Sequence, residues 1–474
     1  MSRYQQLLQL AKGGLKALIR LILSLEGQVR QLRRRVQQLE ERLALNSRNS
    51  SKPPSSDGLA KPAPKSLRQK TGRRPGGQPG HPGRTLQPVA RPDHVRIHHL
   101  DRCPCGQCGG RCLRAEPVLG QEKRQVFELP QKPLEVTEHQ AEIKRCPVSG
   151  ALVTAAFPPQ VTAPVQYGPR FRAQMVYLNA QHFIPYARLS QLCQDLYGQP
   201  IGEATLVAAN GRAYANLAPF EHALWELLPQ APANHCDESG LRVAGALHWL
   251  HVVGNARLTF YGVHRKRGRE AMDYFDILPR CKNFLIHDHL KAYFTYEDCL
   301  HALCNEHHLR ELKFLYEEQH QLWADELSRF LLDLKARRQT RGVLGQRAFK
   351  KMSAAYHAIL QKGRRQHPRR AGPAAQSKAA NLLDRLEDFE LCVLAFTLFE
   401  EVPFTNNGAE QDIRMQKVQQ KISGCFRTLH GARVFARLRS YISTCRKQGR
   451  NILDELQNAI LENPFIPSAP TAGP

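Results

Sequence analysis

The sequence predicts an α/β protein whose sheet-bearing core is interrupted by a helical insertion. Three strand-like runs, "NHCDESGLRVAG", "ALHWLHVVGN" and "ARLTFYGVHRK", follow one another with glycines between them, which is the pattern of an antiparallel meander. A helical segment, "GREAMDYFDIL", then leads to "KNFLIHDHLKAYF", an apolar run that reads as a buried strand ending in an aspartate. A short strand runs into a helix in "LHALCNEHHLRELKFLYEE", and from His320 to about Phe399 the pattern is helical and charged. Strands, a helix, a strand and then helices make an α/β layout.

Composition bounds what such a protein does. The 474 residues are enough for several domains. Lys and Arg number 68 against 42 Asp and Glu, a formal charge of +26, and a basic excess of that size predicts a polyanionic partner. No apolar run approaches the roughly 20 residues of a spanning helix. The stretch Leu15 to Leu25 is broken by Lys16 and Arg20, so neither a membrane partner nor a secretory signal is expected. Nucleic acid is the expected partner and the cytoplasm, at the bacterial nucleoid, the expected location. The 13 scattered cysteines fit reduced thiols, with close clusters read as metal-binding.

Residues 1–45 carry a heptad repeat. Leu15, Leu18, Ile22, Leu25, Val29, Leu32, Val36, Leu39 and Leu43 alternate spacings of three and four. Leu at the d positions with β-branched Ile22, Val29 and Val36 at a favours a parallel two-stranded coiled coil, hence a homodimer or higher oligomer. Residues 46–98 are a basic linker of Ser, Pro, Gly, Lys and Arg with little to bury. Within it, Arg73 and Arg74 form a pair that suits a narrow minor groove.

Residues 99–150 open with "CPCGQCGG", in which Cys105-x2-Cys108 and two glycines form half of a zinc-binding pattern. The second half has Cys146, but Ser149 stands where its partner is expected. Cys103, Cys112 or His139 could complete four ligands, and a zinc site is the expectation, with a decayed site held by packing alone as the alternative. Structural Zn²⁺ is the cofactor this segment suggests. Residues 151–230 read as helical, with a turn at Tyr197-Gly198 between two helices in the manner of a helix-turn-helix. Residues 231–319 hold the first part of the core, 320–399 the insertion, 400–450 the last part of the core and 451–474 a C-terminal tail.

Acids stand out within that core. Asp237 lies in the first strand, Asp288 at the C-terminal end of Phe284-Leu285-Ile286, where open α/β sheets place ligands, and Glu410 on the late helix. Each has a plain structural reading: a turn residue, a helix cap, and a capping box with Asn407 as N-cap. Carboxylates drawn to one sheet edge instead require a cation, and Mg²⁺ (or Mn²⁺) is the hard ion suited to oxygen ligands. Two such ions about 4 Å apart serve phosphoryl transfer. On the helix of Glu410, Arg414, Lys417 and Lys421 share its face within about 60°, positioned to grip phosphates. Met415, Val418 and Ile422 form an apolar face for packing.

The chain resembles transposases of the insertion-sequence-sixty-six family, the TnpC type, along nearly its whole length. "NSRNSSKPPSSDG" and "GGQPGHPGRTL" resemble the family's linker and "CGQCGG" its zinc-binding segment. "CDESGLRV", "IHDHLKAYF" and "TNNGAEQDIRMQKVQQKISGCFRT" carry the acids, the last being the most specific. The resemblance implies an RNase H-like catalytic core with a DDE triad of Asp237, Asp288 and Glu410. It also implies binding of terminal inverted repeats and target DNA, metal-dependent cleavage and strand transfer, and small element-encoded accessory proteins. Cys304-x2-His307 is similar to an element that follows the second aspartate in many DDE enzymes, and packing with helix capping accounts for it without a metal. "ES" stands after the first acid where the family more often has "ET". A DNA-binding regulator without catalysis and a nuclease without strand transfer are the alternative readings.

Overall fold

The structure, a computed structural model, describes residues 14–44, 88–102, much of 107–149, 151–369 and 376–469. The chain divides into two units, residues 64–158 and residues 1–63 with 159–474. In the smaller unit an antiparallel bridge joins Arg102 to Cys112. Strand β1 (Ile143–Arg145) pairs with β2 (Leu152–Thr154). Cys103, Cys105, Cys108 and Cys146, with Arg73 and Arg74 of the linker, lie outside the described residues.

Helix α1 (Gly14–Ala44) forms over the heptad repeat. Ile22, Leu25, Val29, Leu32, Val36, Leu39 and Leu43 are all exposed on it, Val29 by 46% and Leu32 by 61%. A stripe of this kind gains stability only when something covers it.

The rest of the larger unit is built on a mixed sheet. Helices α2 (Pro169–Ala180), α3 (Tyr186–Tyr197), α4 (Glu203–Asn216) and α5 (Ala218–Leu227) come first. Gly198, at φ +67°, caps α3 with the left-handed backbone that glycine adopts without strain. The expected helix–turn–helix order is present. The exposed side of α4 offers one cation, Arg212, and that pairs with Glu462 at 3.1 Å.

Strands β3 (Ala233–Val243), β4 (Ala246–Gly254) and β5 (Thr259–His264) form the predicted antiparallel meander. Its first turn, Ala244-Gly245, has positive φ at both residues, the geometry that matches strand twist in a two-residue hairpin. After α6 (Arg269–Phe275), β6 (Phe284–His287) returns beside β3 in parallel, and β7 (Leu300–Leu303) pairs with β6 in parallel. The order is β5-β4-β3-β6-β7.

The insertion follows as α7 (Asn305–Gln319), α8 (Leu322–Arg341), α9 (Gln346–Gln366), α10 (Lys378–Asp388) and α11 (Glu390–Leu394). Its helices share one core, in which Trp323, Leu327, Leu331 and Tyr356 pack with Phe284 and Ile286 of β6. The chain then returns as α12 (Asn407–Ser423), α13 (Leu429–Lys447) and α14 (Ile452–Ile460).

Alternation along β3 sends successive side chains to opposite faces. Cys236, with Val253 and Phe260, meets Phe220, Leu224, Leu438 and Tyr441 on one face. Leu241 and Val243, with Val252 and Tyr261, meet Ala409, Ile413, Ala432 and Ala436 on the other. Residues 451–474, expected as a tail, include a helix of the core. Leu456, Ala459 and Ile460 of α14 are buried in the first cluster, and the Asn451 side chain caps the helix by accepting from Leu453 N at 3.0 Å. The "NILDELQNAI" pattern buries one apolar side, which an isolated tail could not do.

Candidate active site

Asp237 lies on β3 opposite Val252, on the face that receives α12. His235 pairs with Ile286 across the parallel β3–β6 ladder. Asp237 stands two residues further on along β3, and Asp288 is the first residue past the end of β6, where its charge acts on both Glu238 and Asp237. The Asp288 carboxylate accepts from Leu290 N at 2.8 Å, and Asp237 accepts from Glu238 N at 2.8 Å. Burial pushes the Asp237 carboxyl well above its usual range, with Glu238 next in effect and the Asp288 and Glu410 charges adding to it. Asp288 and Glu410, 122 residues (410 − 288) apart in sequence, thus both act on Asp237 through their charges.

Glu410 reaches this place on α12. The helix starts at Asn407 with Asn406 before it, and no side chain caps its first turn. Glu410 is thus the fourth helical residue, and the capping box expected from Asn407 does not form. The Asn406 side chain is used elsewhere. Its amide donates to Cys236 O at 2.7 Å, and its oxygen accepts from His235 Nδ1 at 2.8 Å. Its backbone N–H donates to Cys304 Sγ at 3.2 Å, and its carbonyl accepts from Glu410 N at 3.2 Å. Cys304 N in turn donates to His287 O, next to Asp288, at 3.0 Å. A single buried asparagine is thereby bonded next to Asp237, to Glu410 itself, and to the residue that bonds next to Asp288. Gly408 permits the close approach: a Cβ there would lie 3.1 Å from the His235 ring.

Cys304 and His307 border Glu410. Cys304 Sγ is 3.9 Å and His307 Nδ1 4.0 Å from Glu410 Oε1. Burial pushes the Cys304 thiol up to about 12. His307 Nδ1 is buried without a hydrogen-bond partner.

The basic ladder of α12 is divided. Lys417 turns inward and donates to Gly240 O at 3.2 Å. Burial lowers its pKa, and the Asp237 charge opposes that shift. Arg414 and Lys421 are exposed and free of protein partners. The apolar side differs from expectation. Val418 and Ile422 are 39% and 44% exposed, whereas Ala409, Ile413, Gln416 and Gln419 are buried. Polar glutamines on the inward stripe concealed it from a hydrophobic pattern.

Sequence reasoning also missed two supports of the site. Glu238, on the opposite face of β3, has a side chain 1% exposed. It accepts from Arg267 Nε at 2.8 Å and from Tyr293 Oη at 2.7 Å, the pairing that a buried carboxylate requires. Asp412, two residues beyond Glu410, binds Lys447 Nζ at 2.8 Å and accepts from Ser443 Oγ at 3.3 Å, fastening α12 to α13. The acid following Asp237 and the polar residue within the helix were the only signals in sequence.

Asp237, its carboxyl raised by burial and by the acids around it, is a group whose charged form a hard divalent cation would stabilise. Comparison with protein families gives two matches. The family model described as Transposase IS66 family matches residues 164–434, more than half of the chain. A family of unknown function (DUF6444) matches residues 6–87, covering the heptads and most of the linker. No curated protein matches the chain. Among the described residues no helix is long and apolar enough to cross a membrane.

Proposed function

The chain belongs to the IS66 transposase family, and from that premise we propose that it binds the terminal inverted repeats of its own element, cleaves there and joins the freed end to target DNA. The observation that carries the catalytic part is the Asn406 bridge, whose amide bonds Cys236 O beside Asp237 at 2.7 Å and whose carbonyl accepts from Glu410 N at 3.2 Å. The strand order β5-β4-β3-β6-β7, with a meander and two parallel strands, supports an RNase H-like reading of the core.

Asp237, Asp288 and Glu410 would hold Mg²⁺ (or Mn²⁺), which when bound supplies Lewis-acid polarisation of the scissile phosphate and activation of the attacking hydroxyl. Asn406 keeps Glu410 in register with Asp237 from behind. Arg414 and Lys421 grip phosphates beside the site, while Lys417 balances charge at Asp237 from within. Residues 1–45 pair two chains through the α1 stripe. Residues 99–150 form a zinc-bound module on Cys105, Cys108 and Cys146, and residues 151–230 add DNA contacts.

The test is cleavage and joining of a labelled element end in the presence of Mg²⁺. Both activities are expected. Binding without cleavage favours a regulator, and cleavage without joining a nuclease.

A further inference from the structure

We propose that Cys304, His307 and Glu410 form a second metal site, selective for a zinc-class ion, which competes with the catalytic acids for Glu410. The donors are a thiol, an imidazole nitrogen and a carboxylate oxygen, all within 4.8 Å of one another. A tetrahedral zinc lies ~2.0–2.3 Å from its ligands, which puts the donors roughly 3.3–3.8 Å apart. The Cys304–Glu410 and His307–Glu410 separations of 3.9 and 4.0 Å need roughly half an ångström of closure. His307 Nδ1, buried and without a hydrogen-bond partner, is available to a metal.

Donor chemistry separates the two sites that share Glu410. Sulfur and imidazole select zinc and its neighbours over Mg²⁺, which takes oxygen ligands and holds its waters. Cys304 and His307 come one turn apart, at the start of α7, and each is fixed by the fold. Cys304 is held by Asn406 N and His287 O. The side chains of His307 and Glu410 keep 22% and 28% exposure, leaving a route for the ion. Coordination releases the thiol proton and leaves a Cys304 thiolate on the metal. Three protein ligands with a fourth position open to solvent match the arrangement of non-structural zinc sites. With Glu410 engaged there, the oxygen-ligand set loses a member.

Cobalt titration of the full chain, stripped of metal by a chelator and followed by optical absorption, tests the site. The comparison is wild type against His307→Gln and Cys304→Ser, with folding checked by circular dichroism. The wild type should bind one more Co²⁺ per chain than either variant, and the difference spectrum should show a thiolate-to-cobalt charge-transfer band. Cysteines 103 to 146 bind equally in all three proteins and cancel in the difference. Equal cobalt stoichiometry and spectra in wild type and folded His307→Gln would overturn the proposal. His307→Gln decides alone should Cys304→Ser fail to fold. The readout does not use DNA. A lost cobalt equivalent therefore upholds the site even where element ends are never cleaved, and cleavage without that loss upholds only the catalytic reading.

Discussion

Asn406 donates its side-chain amide to the carbonyl of Cys236 at 2.7 Å, binding the turn before the Glu410 helix to the strand that carries Asp237. Because the asparagine is 3% exposed, removing its side chain leaves Cys236 O and His235 Nδ1 without their partner. Asn406→Ala should cost roughly 2–4 kcal/mol of stability, on the scale of buried unsatisfied groups. Cleavage should fall further than stability alone explains, and more Mg²⁺ should be needed, while end binding persists. Urea unfolding with a Mg²⁺ titration of cleavage checks this. An unchanged Mg²⁺ requirement in folded Asn406→Ala would reduce the residue to packing.

The raised Asp237 carboxyl gives a dependence on pH with a definite sign. Burial, helped by Glu238, Asp288 and Glu410, makes the folded state hold that proton to higher pH than the unfolded chain, whose ordinary value is 3.8. The stability linked to that proton is complete below the ordinary value and is lost as pH rises through the raised one. Without divalent metal, Asp237→Asn should therefore be more stable than wild type. The margin should widen with pH by about 1.4 kcal/mol for each unit of upward shift. Mg²⁺ should stabilise wild type more at about pH 8 than at about pH 5, and Asp237→Asn little at either. Melting curves at the two pH values decide it, and equal metal effects on both proteins would contradict the ligand role of Asp237.

The meander was legible because its strands alternate and its turns carry glycine, and Asp288 because an apolar run ends on it. The helix of Glu410 was legible as a helix, but its inward side was not. Period and hydrophobicity pointed to Met415, Val418 and Ile422, whereas Ile413 lies buried with Gln416 and Gln419. The partners of Asn406 lie 170 and 171 residues away in sequence, and no local pattern encodes such a bond. Glu238 was hidden for the same reason: the arginine and tyrosine that make its burial tolerable come from other elements. Helix α14 looked like a tail because its core lies on helices hundreds of residues earlier.

Oligomeric state should follow the α1 stripe. Val29 and Leu32 are exposed on the single chain, so charges there disturb an interface and not the protomer. Val29→Glu with Leu32→Lys buries charge at the seam of a pair, which is costly. Sedimentation should report a lower mass for the variant at unchanged helicity of the core. A constant mass would remove the coiled coil.

End binding should weaken steeply with salt, log affinity falling linearly with log salt by roughly 0.9 for each phosphate contacted. Arg414→Gln and Lys421→Gln should each flatten that slope by about one contact, since both side chains are exposed without protein partners. Fluorescence anisotropy across a salt series measures the slope. An identical slope in the double variant would place the phosphate grip elsewhere.

The most direct measurement compares cleavage of a labelled element end by wild type and Glu410→Gln. With no capping box at the start of α12, glutamine at this partly exposed position should leave folding nearly intact. It presents a neutral amide with one oxygen where the carboxylate presents a charge and two. The variant should fold, self-associate and bind ends like wild type while losing Mg²⁺-dependent cleavage by several orders of magnitude, and Asp288→Asn should match it. Near wild-type cleavage by folded Glu410→Gln would contradict the account.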